Sequence, residues 1–163
     1  MNLRKYSMKT FILFIVMMLG FSIPTQSQEI LKEVQSLQSK AEALANDTTQ
    51  NLESRKIACF KYDAIYYLID KATSEPLFTE YELGEQTDAM IEFVNYYVAK
   101  LQNVKKVKDK EVIKAQFRAA SINNSLFNDM DKELVMGYVD NKDFITQFSL
   151  DTNWVKAFEE VKK

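Results

Sequence analysis

The chain has 163 residues, with 21 basic and 23 acidic side chains, no histidine and a single cysteine. Without histidine it lacks the usual general base near neutral pH and the commonest zinc ligand, and one cysteine excludes an internal disulfide framework. The nearly balanced charge gives no global bias toward nucleic acid.

Arg4, Lys5 and Lys9 precede an apolar run from Phe11 to Phe21 that breaks at Ser22 and Pro24. A basic start, a short hydrophobic stretch and a small-residue exit are the layout of a secretory signal peptide. Thr25 and Ser27 suit the positions three and one before a cut, so residues 1–27 are expected to be removed and residues 28–163 to form one helical domain. About 20 apolar residues are needed to cross a bilayer, and this run is too short for a lasting anchor. A lipoprotein needs a cysteine at the cut, and Cys59 lies far from it. The expected product is a protein of the periplasm or the exterior, soluble and without a stable membrane anchor. Cleavage leaves 18 basic groups against 23 acidic ones, a formal charge of −5.

Beyond the signal segment there are two glycines, Gly84 and Gly137, and one proline, Pro76, which favours long uninterrupted helices. Ile30, Val34, Leu37, Ala41 and Leu44 recur every three or four residues and predict a helix over 29–46. Asp47 or a following threonine is expected to cap a second helix ending near Ser74. Residues 57–69 are apolar almost all round, which marks that helix as the centre of the bundle. Cys59 falls in this stretch and reads as a buried packing residue. Residues 74–83, with Pro76, read as a loop.

A third helix is expected over 85–105, with Met90, Val94, Tyr97, Leu101 and Val104 on one face, and a fourth over 109–123, with Ile113, Phe117 and Ala120. Asn128 or Asp129 is expected to cap a short fifth helix that turns Leu134, Val135, Tyr138 and Val139 inward. A last helix is expected to start at Asp151 or Thr152 and to bury Trp154, Phe158 and Val161. The fold class is all-α, a single compact bundle of five to six helices.

No catalytic set, cofactor motif or metal-ligand set stands out. Asp129, Asp131 and Glu133 have the spacing of a calcium-loop start, but Leu134 replaces the turn glycine, so capping explains them better. Lys106, Lys110, Lys114 and Arg118, four apart, suit an anionic partner, although a solvated face is the simpler reading. Glu75, Glu80, Glu82, Glu85, Asp88 and Glu92 form an acidic stretch just before it. On the second helix, Phe60, Asp63, Tyr67 and Asp70 share one face, where aromatics among carboxylates form a candidate binding surface. The competing reading has Phe60 and Tyr67 at the core edge, under the Pro76 loop. These features suggest a non-enzymatic helical binding protein with an unknown protein or envelope component as partner. The alternatives are a glycan hydrolase working through carboxylates, or a small carrier of apolar ligands.

The segments Ser125-Leu-Phe-Asn-Asp-Met-Asp-Lys-Glu133 and Gln147-Phe-Ser-Leu-Asp-Thr-Asn-Trp-Val-Lys-Ala157, with helix two and the Asp47-Thr-Thr49 linker, resemble small exported helical proteins of Bacteroides-like Gram-negative bacteria. That family has no established activity, so the resemblance implies an exported helical domain and carries over no catalytic residue. The Asp47-Thr48-Thr49 triplet also resembles the O-glycosylation acceptor sequence of such bacteria, which implies Thr48 as the acceptor.

Overall fold

The computed structural model describes residues 26–128 and 137–163, and these are α-helical with no strand. The helices are α1 (Gln26–Asn46), α2 (Leu52–Ser74), α3 (Glu80–Gln102), α4 (Val107–Asn123) and α5 (Trp154–Lys162). Among the described residues, no helix is long and apolar enough to cross a membrane.

Local side-chain chemistry sets where α2, α3 and α5 start. Asn51, rather than Asp47 or a threonine, caps α2 by accepting the Ser54 N–H at 2.8 Å. Asp47 is already committed to its own turn, where it accepts from the Thr49 N–H at 2.9 Å and the Thr49 hydroxyl at 2.6 Å. Those bonds hold its carboxyl below the ordinary carboxylate range. The expected loop over 74–83 shrinks to 75–79, because Thr79 and Glu82 form a reciprocal capping box that starts α3 at Glu80. That helix stops at Gln102, where the Asn103 N–H closes onto the Ala99 carbonyl.

Helix α4 begins at Val107, two residues before the expected start, with Lys106 as its cap residue outside the helix. This splits the basic run, and Lys114 pairs with Glu111 at 2.7 Å, both largely in solvent. Asn153 caps α5 by accepting the Lys156 N–H at 3.1 Å. Asp151 and Thr152, the expected caps, are instead buried. Asp151 accepts the Ser125 hydroxyl at 2.6 Å and the Phe127 N–H at 2.8 Å, and Thr152 donates to the Ser149 carbonyl at 2.7 Å. Of the expected fifth helix, Tyr138 and Val139 are buried, yet they lie in a turn. Leu134 and Val135, like Asp129, Asp131 and Glu133, fall outside the described residues.

Among the described helices, α3 is the most connected: it touches all four of the others, whereas α2 touches α1 and α3. Along α3, Leu83, Met90, Phe93, Val94, Tyr97 and Leu101 are buried at three- and four-residue spacings, a stripe wide enough for neighbours on several sides. Phe93 meets Phe117 at 5.0 Å, Phe148 at 5.2 Å and Trp154 at 5.4 Å between ring centroids. Such ring pairs contribute roughly 0.5–1.5 kcal/mol each beyond area burial. Buried Gln86 ties α3 to the start of α5, accepting the Trp154 N–H at 2.7 Å and donating to Asn153 Oδ1 at 3.3 Å. Gly84 admits α1 closely, since a Cβ there would lie 3.0 Å from Ile30 Cγ2.

The side of α2 that faces away from α3 is met by the segment 137–150. Lys56 Nζ donates to the Asp143 carbonyl at 2.6 Å, and the buried Tyr97 hydroxyl donates to the Ile145 carbonyl at 2.9 Å. These two bonds hold an irregular stretch of backbone against two helices.

Candidate functional site

A cavity of about 560 Å³ lies at the seam between α2 and the 137–150 segment. From α2 it is lined by Cys59, Asp63, Tyr66, Tyr67 and Asp70, and from the other side by Gly137, Tyr138, Phe144 and Leu150. The α2 residues are spaced four, three, one and three apart, which keeps them on one helical face. At about 100° per residue, Cys59 and Tyr66 fall on one flank of Asp63, and Tyr67 and Phe60 on the other.

The polar group of this seam is a bonded set. The Tyr138 hydroxyl donates to Asp63 Oδ2 in a short hydrogen bond, and Cys59 Sγ lies 3.6 Å from the same hydroxyl and 4.0 Å from Asp63 Oδ2. Burial raises the Tyr138 phenol far above its ordinary value, and the Asp63 hydrogen bond and negative charge add to it. The ring is fixed as well, edge-on to Phe60 at 5.1 Å and tilted against Phe144 at 4.4 Å. The site therefore has a rigid phenol whose proton is held by a carboxylate, surrounded by aromatic faces.

Of the residues singled out from sequence, Asp63, Tyr67 and Asp70 line this cavity. Phe60 does not. It is fully buried and meets Phe148 at 5.6 Å and Trp154 at 6.0 Å. Tyr67 meets Phe127 at 6.2 Å, and Phe127 meets Phe78 at 5.0 Å, so it reaches the Pro76 connection through one intervening ring. Cys59 is half-buried at the cavity wall, not fully enclosed. Tyr66 escaped notice although it stands three residues after Asp63. Tyr138, 75 residues downstream of Asp63, and Phe144 carry no sequence signal that would place them here. Thr48 is exposed in the turn between α1 and α2.

Two smaller hollows are more polar. One, about 290 Å³ between α1 and α3, is lined by Ile30, Val34, Tyr81 and acidic Glu33, Glu85 and Asp88. Another, about 330 Å³, includes Glu53, Leu101, Lys110 and Ile145. Among the described residues, no group of three or more histidine, cysteine or carboxylate side chains is placed to hold a metal. Asp63 and Asp70 stand seven residues apart, about 10.5 Å along the helix axis. Glycosidase carboxyl groups sit roughly 5–9.5 Å apart.

No family model, curated protein or solved structure matches the chain.

Proposed function

We propose that this is a non-enzymatic helical binding protein that holds a small, largely apolar ligand in the cavity between α2 and the 137–150 segment. The observation that carries this reading is a cavity of about 560 Å³ walled by Tyr66, Tyr67, Tyr138 and Phe144, with a few convergent polar groups at Asp63 and Asp70. Small-molecule sites have this make-up, with volumes of about 300–1,000 Å³, mostly apolar walls and few fixed polar groups.

The signal-like segment supports a place of work in the periplasm or outside the cell, after removal of residues 1–27. It also agrees with the resemblance to exported helical proteins of Bacteroides-like bacteria. Native mass spectrometry of the protein purified from its own cells tests the binding reading. A small-molecule adduct is expected that is lost in Leu150→Phe, which adds a ring to the cavity wall. An adduct retained in a folded Leu150→Phe protein, or none in the wild type, counts against this site.

A further inference from the structure

The charge around the cavity is one-sided. Among the described residues, its charged lining residues, Asp63 and Asp70, are both acidic, and no lysine or arginine lines it. Three lysines stand on α2; Lys56 and Lys61 are bonded away from the cavity, and Lys71 lies over the ring of Tyr67 without itself lining it. Lys56 Nζ donates to the Asp143 carbonyl, Lys61 Nζ donates to Asn95 Oδ1 at 2.7 Å, and Lys71 Nζ lies 5.5 Å from the Tyr67 ring and 5.7 Å from the Phe127 ring. Burial pulls the Lys61 ammonium below its ordinary value, a sign that this lysine is set into the α2–α3 contact.

The polar atoms of the seam also have a direction. Tyr138 spends its hydroxyl proton on Asp63, so the pair presents oxygen lone pairs outward, with no phenolic donor left over. Tyr66, 60% exposed, and the half-buried Phe144 add ring faces, whose quadrupole attracts cations. Carboxylates, lone pairs and ring faces all favour positive charge. An anionic ligand would meet two carboxylates and, among the described lining residues, no counter-charge.

We infer that the occupant of this cavity is an organic cation, an ammonium or guanidinium on an apolar body, with its charge toward Asp63 and Asp70 and its body against Tyr66, Tyr138 and Phe144. This rests on the binding reading above and narrows the ligand to one chemical class. The volume suits a body larger than a bare ion, so inorganic cations would leave the apolar wall wet and unrewarded. Selectivity arises because a neutral analogue of equal shape keeps the apolar contacts and loses the charge pair. At a half-open site that loss amounts to about tenfold or more in affinity.

Cys59 is the chain's only cysteine and lines the cavity, so its alkylation by neutral iodoacetamide reports occupancy of this site alone. Phenethylammonium is expected to protect Cys59 at concentrations about tenfold below those needed by uncharged phenethyl alcohol. Asp70→Asn, at an exposed position, keeps the fold and should shrink that ratio several-fold. Asp88→Asn, at the separate acidic hollow between α1 and α3, should leave it unchanged and so exclude a general effect of net negative charge. Equal protection by the alcohol and the ammonium overturns the cation inference while leaving the cavity as a binding site. An equal drop in ratio for Asp70→Asn and Asp88→Asn also overturns it, by tracing selectivity to the overall field. Protection by neither probe up to millimolar concentrations overturns both the inference and the binding reading.

Discussion

The two sides of α2 are built on opposite principles. On one side, Phe60, Ala64, Ile65 and Leu68 are at most 1% exposed, and Phe60 runs into the rings of Phe148 and Trp154 that also meet Phe93. Toward the 137–150 segment, the same helix offers Cys59, Asp63, Tyr66 and Asp70 to a cavity that side chains leave unfilled. Close packing leaves few voids larger than a water molecule on the core side, whereas the seam side keeps a half-open hollow at the surface. The core side is closely packed, and the seam side is the one the binding proposal concerns.

Trp154→Ala breaks the comparison at its densest point. It should lower unfolding stability by about 3–5 kcal/mol in chemical denaturation, through lost ring contacts and the cavity left behind. A loss under 1 kcal/mol would mean that the core side is no better packed than the seam. Asp151→Ala comes next. It strips the acceptor from the Ser125 hydroxyl and the Phe127 N–H, and removing a charged acceptor of this kind costs about 1.5–3 kcal/mol.

Tyr138→Phe sharpens the seam side. The ring contacts to Phe60 and Phe144 survive and the bond to Asp63 is lost, so a stability loss of about 1 kcal/mol is expected together with weaker ligand binding. The same residue gives a pH signature. Tyr138 and Tyr97 both hold their protons more tightly in the folded chain than the ordinary phenol value of 10.0, mainly through burial. Their contribution is present below pH 10 and is lost as pH rises above it. Tyrosine absorbance should show these two phenols ionising only with unfolding, and Tyr138→Phe should blunt the alkaline loss of stability.

The smallest effect lies outside both regions. Burial, then Glu33 and Glu92, raises the Asp88 carboxyl, so its charged form weighs against the fold at neutral pH and the penalty disappears as pH falls through the raised value. Asp88→Asn should raise the melting temperature slightly at pH 7 and not at pH 3.

Much of the core was legible from residue periodicity. Val34 and Ala41 on α1, Met90, Val94 and Tyr97 on α3, and Phe117 and Ala120 on α4 are buried as their spacing predicts, because a helix face is a local property. The Thr79–Glu82 capping box is equally local, spelled Thr-x-x-Glu shortly after Pro76. The hub role of α3 was hidden, since apolarity all round α2 says nothing about which neighbours reach it. For the site, Asp63, Tyr67 and Asp70 shared a readable face. Phe60, about 60° round the helix from Asp63, lies buried on the core flank, nearer the competing core-edge reading. Tyr138 and Phe144 arrive from a turn whose path is fixed by tertiary bonds such as Lys56 to the Asp143 carbonyl, and no local pattern encodes that.

Amide chemical-shift mapping with a small-molecule extract of the native cells tests most directly whether the seam is the binding side. Shifts confined to the neighbourhood of Cys59, Asp63, Tyr66, Asp70, Tyr138 and Phe144 are expected, with Met90, Phe93 and Trp154 unmoved. Shifts that miss the seam and fall on another surface, or none with any fraction of the extract, would contradict it.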